Sequence, residues 1–340
     1  MQKIGIIQTA FIGDVVLSTA LLESLHEKYP TATIDIVVRK GNEALFAQHP
    51  FINNVIIWDK QQAKYANWIK VLKQLRAQQY DVLINVQRYA ATGLWTAFAK
   101  AMVTIGFDKN PFSFLFTHKI KHEAMQTGLH EIQKNHALIQ LLEEDIPLCN
   151  PKLYPSASDF EKVKSFQSQP YICIAPASVW YTKQFPIDQW VQFLNTLDYS
   201  GNVYIIGGPG DRKIGDQIVN AIAANARIKN RVVNVAGQFN FLSSAAMQKG
   251  AVLNYVNDSA PMHFASAVNA PVVAIYCSTI PDFGYGPLSE QSFIVQTEKE
   301  LSCKPCGIHG KKACPLAHFN CAMCIQMEQL YAPLLQMTQH

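Results

Sequence analysis

Apolar positions follow two rhythms along this chain. Short runs dense in Ile and Val recur, and between them lie longer stretches where apolar residues return every three or four positions. The first kind predicts strands at Lys3–Thr9, Thr33–Val38, Asn54–Trp58, Asp81–Asn85 and Met102–Ile105. The second predicts helices at Asp14–Lys28, with Leu17, Leu21 and Leu25 on one face, and near Gln61–Gln78 and Thr92–Lys100. Strand–helix alternation of this kind implies parallel strands with helices on both faces.

The alternation breaks at Phe107–Thr127, which is aromatic and irregular and carries Lys109, His118, Lys119, Lys121 and His122. Two readings stand side by side: a loop packed by its own Phe residues, or a cap that handles a bulky acidic substrate. A helix is expected near His130–Glu144. Weak periodicity and several prolines place a linker within Pro147–Pro170. Strands then resume at Tyr171–Ala175, Asn202–Ile206, Arg231–Val235, Val252–Val256 and Pro271–Tyr276. Helices are expected at Ile187–Leu197, Asp211–Ala224, Phe241–Lys249 and Ser259–Val268. The economical fold is α/β: two Rossmann-like halves, residues 1–150 and 151–340, facing each other across a cleft. Ligands in such sheets sit beyond the carboxyl ends of the strands. That singles out Thr9–Asp14, Pro176–Lys183, Gly207–Asp211, Ala236–Gly237 and Asn257–His263.

Composition agrees with two domains. The chain has 340 residues, 49% of them apolar and 16% charged, which excludes a disordered protein. The net charge of +4 suits an anionic small molecule or an acidic surface, and is too small to argue for a nucleic-acid partner. No apolar run approaches the ~18 residues of a membrane span. The N-terminal run, interrupted by Asp14, does not read as a signal peptide, so a cytoplasmic protein is expected. Of eight cysteines, Cys149, Cys173 and Cys277 are scattered, while Cys303, Cys306, Cys314, Cys321 and Cys324 crowd together. This is no secreted disulfide framework. The pairs Cys303-x2-Cys306 and Cys321-x2-Cys324 approximate a structural zinc pattern, and reduced packing thiols or an occasional disulfide are the other reading.

Four motifs can carry chemistry. In Gln8-Thr9-Ala10-Phe11-Ile12-Gly13-Asp14, a strand leads into a helix opened by Asp14. That residue is either an N-cap or a carboxylate poised as a general base, and the two roles are compatible. The glycine spacing of a dinucleotide fingerprint is missing, which disfavours a nicotinamide dehydrogenase. In Ala175–Lys183, Lys183 can reach a phosphate and Ser178 can donate to it, although a loop lysine is often merely solvated. Gly207-Gly208-Pro209-Gly210-Asp211 is a turn before a helix, with Asp211 able to accept from ribose hydroxyls. In Asn257–His263, Asp258 and Ser259 open a helix whose first N–H groups suit a diphosphate.

The runs QTAFIGDVVLSTALLESL, NDSAPMHFASAVNAPVVAIYCSTIPDF and KPCGIHGKKACPLAHFNC resemble the ADP-heptose:lipopolysaccharide heptosyltransferases, glycosyltransferase family 9. The resemblance spans essentially the whole chain. It implies a GT-B fold and inverting transfer of a heptose from ADP-heptose to the lipopolysaccharide inner core. It makes Asp14 the base that deprotonates the acceptor hydroxyl and Lys183 a ligand of the diphosphate. Asp258, Ser259 and His263 fall at the donor site. One departure is Ala260, where many relatives have Gly. Ser178, Asp211 and Gly237 complete the expected donor residues, and Thr9, Lys119 and Lys121 the acceptor residues, for a lipopolysaccharide core or lipid A precursor. Lys183 and the helix start at Ser259 can stabilise a departing diphosphate without a divalent metal, so no cofactor is expected. Peripheral contact with the inner membrane, and a last helix packed back on the first domain, are further expectations. The alternatives are another GT-B enzyme with a different nucleotide-sugar, or a non-catalytic nucleotide-sugar-binding protein.

Overall fold

The first sheet has six parallel strands: β1 (Lys3–Ile7), β2 (Thr33–Arg39), β3 (Ile52–Trp58), β4 (Val82–Asn85), β5 (Val103–Phe107) and β6 (His118–Ile120). They lie in the order β3-β2-β1-β4-β5-β6, with helices α1 (Ile12–Lys28), α2 (Lys64–Gln78), α3 (Ala90–Phe98) and α4 (Glu131–His136) among them. The computed structural model describes residues 1–122, 128–224 and 226–338. Residues 123–127 of the irregular segment lie outside the described residues.

The second sheet repeats the plan. Its strands are β7 (Tyr171–Ala175), β8 (Asn202–Ile205), β9 (Val232–Asn234), β10 (Leu253–Asn257), β11 (Val272–Tyr276) and β12 (Ser292–Gln296), in the order β12-β11-β10-β7-β8-β9 and again all parallel. Seven helices accompany it among the described residues: α5 (Ala157–Val163), α6 (Ile187–Thr196), α7 (Arg212–Ala221), α8 (Phe241–Lys249), α9 (Ala260–Ala267), α10 (Asn320–Met323) and α11 (Glu328–Thr338). In each sheet the order reverses between two central strands, β1 and β4 or β7 and β10, which is where an open α/β sheet binds ligands.

The chain divides into Met1–Tyr154 and Pro155–His340, where the sequence reading puts the boundary after residue 150. Burial explains the strands: Ile4, Ile6 and Ile7 are wholly inside, as are Ile172 and Ile174 in the other sheet. Helix α1 is apolar almost all round and correspondingly buried. Its hydroxyls Ser18, Thr19 and Ser24 are satisfied by carbonyls one turn back, at 2.7, 2.7 and 2.9 Å.

Several expectations are corrected. Helix α1 begins at Ile12, so Asp14 is in its first turn, and the N-cap position belongs to Phe11. The segment from Phe107 is not wholly irregular, because it supplies the edge strand β6. The helix near residue 130 is short, ending at His136 before a series of turns. The linker region contains α5, started by Ser156 and Asp159, each accepting a hydrogen bond from the other's backbone N–H. Apart from these corrections, the last helix, as far as it is described, contributes to the second unit's core. Leu330 and Leu334 are buried there, and Tyr255 donates its hydroxyl to the Leu330 carbonyl at 2.7 Å. No helix among the described residues is long and apolar enough to cross a membrane.

Candidate active site

In the first unit, the loop from β1 to α1 is held from three neighbouring strand ends. Gln8 is buried. Its side-chain oxygen accepts from Ala10 N at 3.2 Å and from the Gln87 amide beyond β4. Asn42, following β2, donates to the Ala10 carbonyl at 3.2 Å. Lys60, following β3, donates to the carbonyl of buried Thr9 at 3.1 Å and lies 4.4 Å from the Trp58 ring centre. Thr9 thus contributes backbone to the loop's anchoring.

Asp14 is half-buried in the first turn of α1, where the helix dipole favours a negative charge. Arg39, the last residue of β2, has its guanidinium 4.7 Å from the Phe11 ring centre. Burial pushes Arg39 below the ordinary arginine range, and the negative charge of Asp14 opposes that shift. Lys60 is likewise pushed below the ordinary lysine range, first by burial and then by the charges of Arg39 and Lys64. Asp14 therefore shares its end of the sheet with two partly desolvated cations. The motif reading missed both, although the strand-end rule that selected Thr9–Asp14 applies to them equally.

A second basic group surrounds His122. Burial, together with Arg88, Lys109 and Lys134, lowers its pKa to about 4, against a weaker opposing effect of Asp108. Asn110 ties the loop after β5 to the loop after β4, donating to the Gln87 and Tyr89 carbonyls at 3.2 and 3.1 Å. Lys119 is exposed on edge strand β6, and Lys121 is exposed immediately after it.

In the second unit, the central strands β7 and β10 end side by side. Asn257, fully buried, donates to the Pro176 carbonyl at 2.8 Å and accepts from Phe185 N at 3.0 Å, which fixes both ends of the loop carrying Ser178 and Lys183. Ser178 is half-buried, and its carbonyl accepts from the Gln184 amide at 2.6 Å. Lys183 is not a solvated loop lysine. Its ammonium lies 2.7 Å from the Asp258 carboxylate, with the two side chains only 15% and 8% exposed. The same Asp258 oxygen accepts from Thr279 Oγ1 at 2.7 Å.

Ser259 occupies the N-cap position of α9, but its hydroxyl makes no capping bond and donates instead to the Asn257 carbonyl at 3.3 Å. Ala260 is the first helical residue, and Pro261 beside it lacks an N–H that would need a partner. His263 is buried one turn into α9, its ring 6.5 Å from that of Tyr285. Asp211 has committed one carboxylate oxygen to its own turn, accepting from Gly208 N at 2.8 Å. Gly237 has φ +81° and donates to the Gly207 carbonyl at 2.9 Å. A methyl there would stand 2.9 Å from Pro209 Cα, so only glycine lets the loops after β8 and β9 meet.

The cysteine-rich segment is not assembled as its spacing suggested. All eight cysteines are free thiols, and among the described residues no three His, Cys, Asp or Glu side chains converge as a metal ion requires. The set Cys303, Cys306, Cys321 and Cys324 does not come together. Cys321 is buried with Phe319 and Ala322, and burial pushes its thiol up to about 11. Lys304 opposes that shift, and Cys314, Cys303 and Cys306 reinforce it.

Two parallel sheets of Rossmann order, each with polar and charged groups gathered at its reversal point, make up the α/β architecture of the GT-B fold. A family model for glycosyltransferase family 9 (heptosyltransferase) matches residues 68–316, and the chain belongs to that family. It is 26% identical over 280 residues to lipopolysaccharide heptosyltransferase 3 of Escherichia coli, covering 79% of this chain and 82% of that one. Among solved structures, a family 9 glycosyltransferase from Veillonella parvula superposes with a TM-score of 0.84 at 20% identity, covering 99% and 97% of the two chains. The E. coli ADP-heptose lipopolysaccharide heptosyltransferase II superposes with a TM-score of 0.76 at 22% identity, covering 99% of each chain.

Proposed function

We propose that this glycosyltransferase moves a heptose from ADP-heptose to the inner core of lipopolysaccharide, with inversion at the transferred carbon. The observation that carries the reading is the buried Lys183–Asp258 pair at the reversal point of the second sheet, beside the start of α9. Lys183 and the first N–H groups of α9 stabilise charge on the departing diphosphate, so transfer needs no divalent metal. Asp14 takes the proton from the acceptor hydroxyl. The names of the E. coli relatives support both donor and acceptor. An acceptor built on lipid brings the enzyme to the inner face of the inner membrane as a peripheral protein.

Calorimetry on the full chain tests the donor. ADP is expected to bind at least about tenfold more tightly than UDP or GDP, a difference of ~1.4 kcal/mol. A preference for another nucleotide would assign a different donor sugar, and no nucleotide binding by folded protein would overturn the reading.

The acceptor is expected to be anionic, held by the first unit through Arg88, Lys109 and Lys134 around His122, with Lys119 and Lys121 extending the basic surface. Burial first, and then the charges of Arg88, Lys109 and Lys134, lower the His122 pKa to about 4. A bound anion offsets their charge, so an acceptor analogue carrying phosphate should raise the His122 midpoint in an NMR titration. A midpoint unmoved by a saturating analogue would place the acceptor elsewhere.

A further inference from the structure

Asp258 offsets the charge of Lys183, and a turn of the cysteine-rich segment runs against the loop that carries this lysine. Thr182, buried beside Lys183, is bonded to Lys311 twice: Thr182 N donates to the Lys311 carbonyl at 3.1 Å, and Lys311 N donates to Thr182 Oγ1 at 2.7 Å. Ser278, following β11, reinforces the junction. Its hydroxyl bonds Thr182 Oγ1 at 3.0 Å, its N–H donates to the Thr182 carbonyl at 3.2 Å, and its carbonyl accepts from Cys306 N at 2.8 Å. The turn between Cys306 and Lys311 is thereby laid against the Lys183 loop.

Gly310 shows how close the approach is. It has φ +74°, and a methyl on it would stand 2.9 Å from Lys183 Cγ, 3.0 Å from Thr182 Oγ1 and 3.3 Å from Trp180 Cβ. The turn is also basic, with His309, Lys311 and Lys312 all exposed. Lys304, in contrast, is used internally, donating to the Tyr276 carbonyl and to Gln296, each at 3.0 Å.

We propose that the Gly310–Lys311 turn is a positioning element of the donor phosphate site: Gly310 confines the stem of Lys183, Asp258 holds its ammonium, and Lys311 brings a second cation to the same diphosphate. The inference rests on reading Lys183 as a donor-phosphate residue. It gives the cysteine-rich segment a part in donor binding through its path along the Lys183 loop.

The test compares affinity for ADP, by calorimetry, with affinity for adenosine, by saturation-transfer NMR, in full-length variants. Gly310→Ala and Lys311→Gln are each expected to weaken ADP by about tenfold, the low end for a charge-assisted phosphate contact, and to leave adenosine unchanged. Lys311→Arg should recover most of the ADP affinity. Gly307→Ala is the backbone control, because Gly307 also has positive φ, +88°, with nothing within 4 Å of an added methyl. It should leave ADP binding intact. Equal losses in Gly307→Ala and Gly310→Ala, or parallel losses of ADP and adenosine, would reduce the turn to general scaffolding and overturn the proposal. Lys183→Ala separates the two levels. If it weakens ADP while Gly310→Ala and Lys311→Gln do not, the positioning role alone fails. If Lys183→Ala also binds ADP normally, the donor-site reading fails with it.

Discussion

Asp14→Asn is expected to lower kcat by about 10²–10⁴, the usual cost of removing a general base, with folding and ADP affinity preserved. The substitution keeps the size of the side chain and removes only basicity and charge. Asp14 is in the first turn of α1 and not at its N-cap, and asparagine keeps a side-chain oxygen that can accept a hydrogen bond there. The charge removed has a favourable interaction with the helix dipole of roughly 0.3–1 kcal/mol. The rate should therefore collapse in a protein whose thermal unfolding is nearly unchanged. A variant retaining most of its kcat would reduce Asp14 to a helix-dipole residue and remove it from the chemistry.

Lys183→Ala is expected to weaken ADP binding by about 1.5–3 kcal/mol, the worth of a charge-assisted phosphate contact. It should also destabilise the second unit, because it leaves the Asp258 carboxylate buried without its cation, accepting from Thr279 Oγ1. Breaking one side of a buried pair typically costs ~3–5 kcal/mol. The two effects come apart in the double variant Lys183→Ala, Asp258→Asn, where the orphaned charge is gone. Stability should return in thermal unfolding while ADP affinity stays low in calorimetry. Recovery of both would mean that Lys183 acts only to neutralise Asp258.

Much of the fold was legible because the central strands are near-continuous apolar runs. Lys3–Ile7 and Tyr171–Ala175 have no alternative but burial in a parallel sheet. The edges were less legible. Strand β6 is only His-Lys-Ile, too short and polar to stand out, and β12 (Ser292–Gln296) falls beyond the segments whose alternation was followed. The start of α1 was misplaced by two residues because an Asp before an apolar helix reads as a cap, whereas here the helix opens on Phe11 and Ile12 with no side-chain cap at all.

The site divides in the same way. Motif residues could be named from strand ends, but their pairings are tertiary. Nothing local marks Asp258 as the partner of Lys183, or Thr182 as the anchor of Lys311. Arg39 and Lys60 were reachable, since each sits at or just past the carboxyl end of a strand. The surroundings of the cysteines are not legible in their spacing either. Cys321 is buried with the core around Phe319 and Ala322, and chain spacing does not encode that.

Heptose transfer is tested most directly by mass spectrometry of the full-length enzyme incubated with ADP-heptose and a lipopolysaccharide core acceptor lacking heptose. The acceptor should gain the mass of one heptose with stoichiometric release of ADP, in the presence of a chelator as in its absence. An acceptor of unchanged mass, in a reaction where the folded enzyme demonstrably binds ADP, would contradict transfer to this acceptor and leave a nucleotide-binding protein with another task.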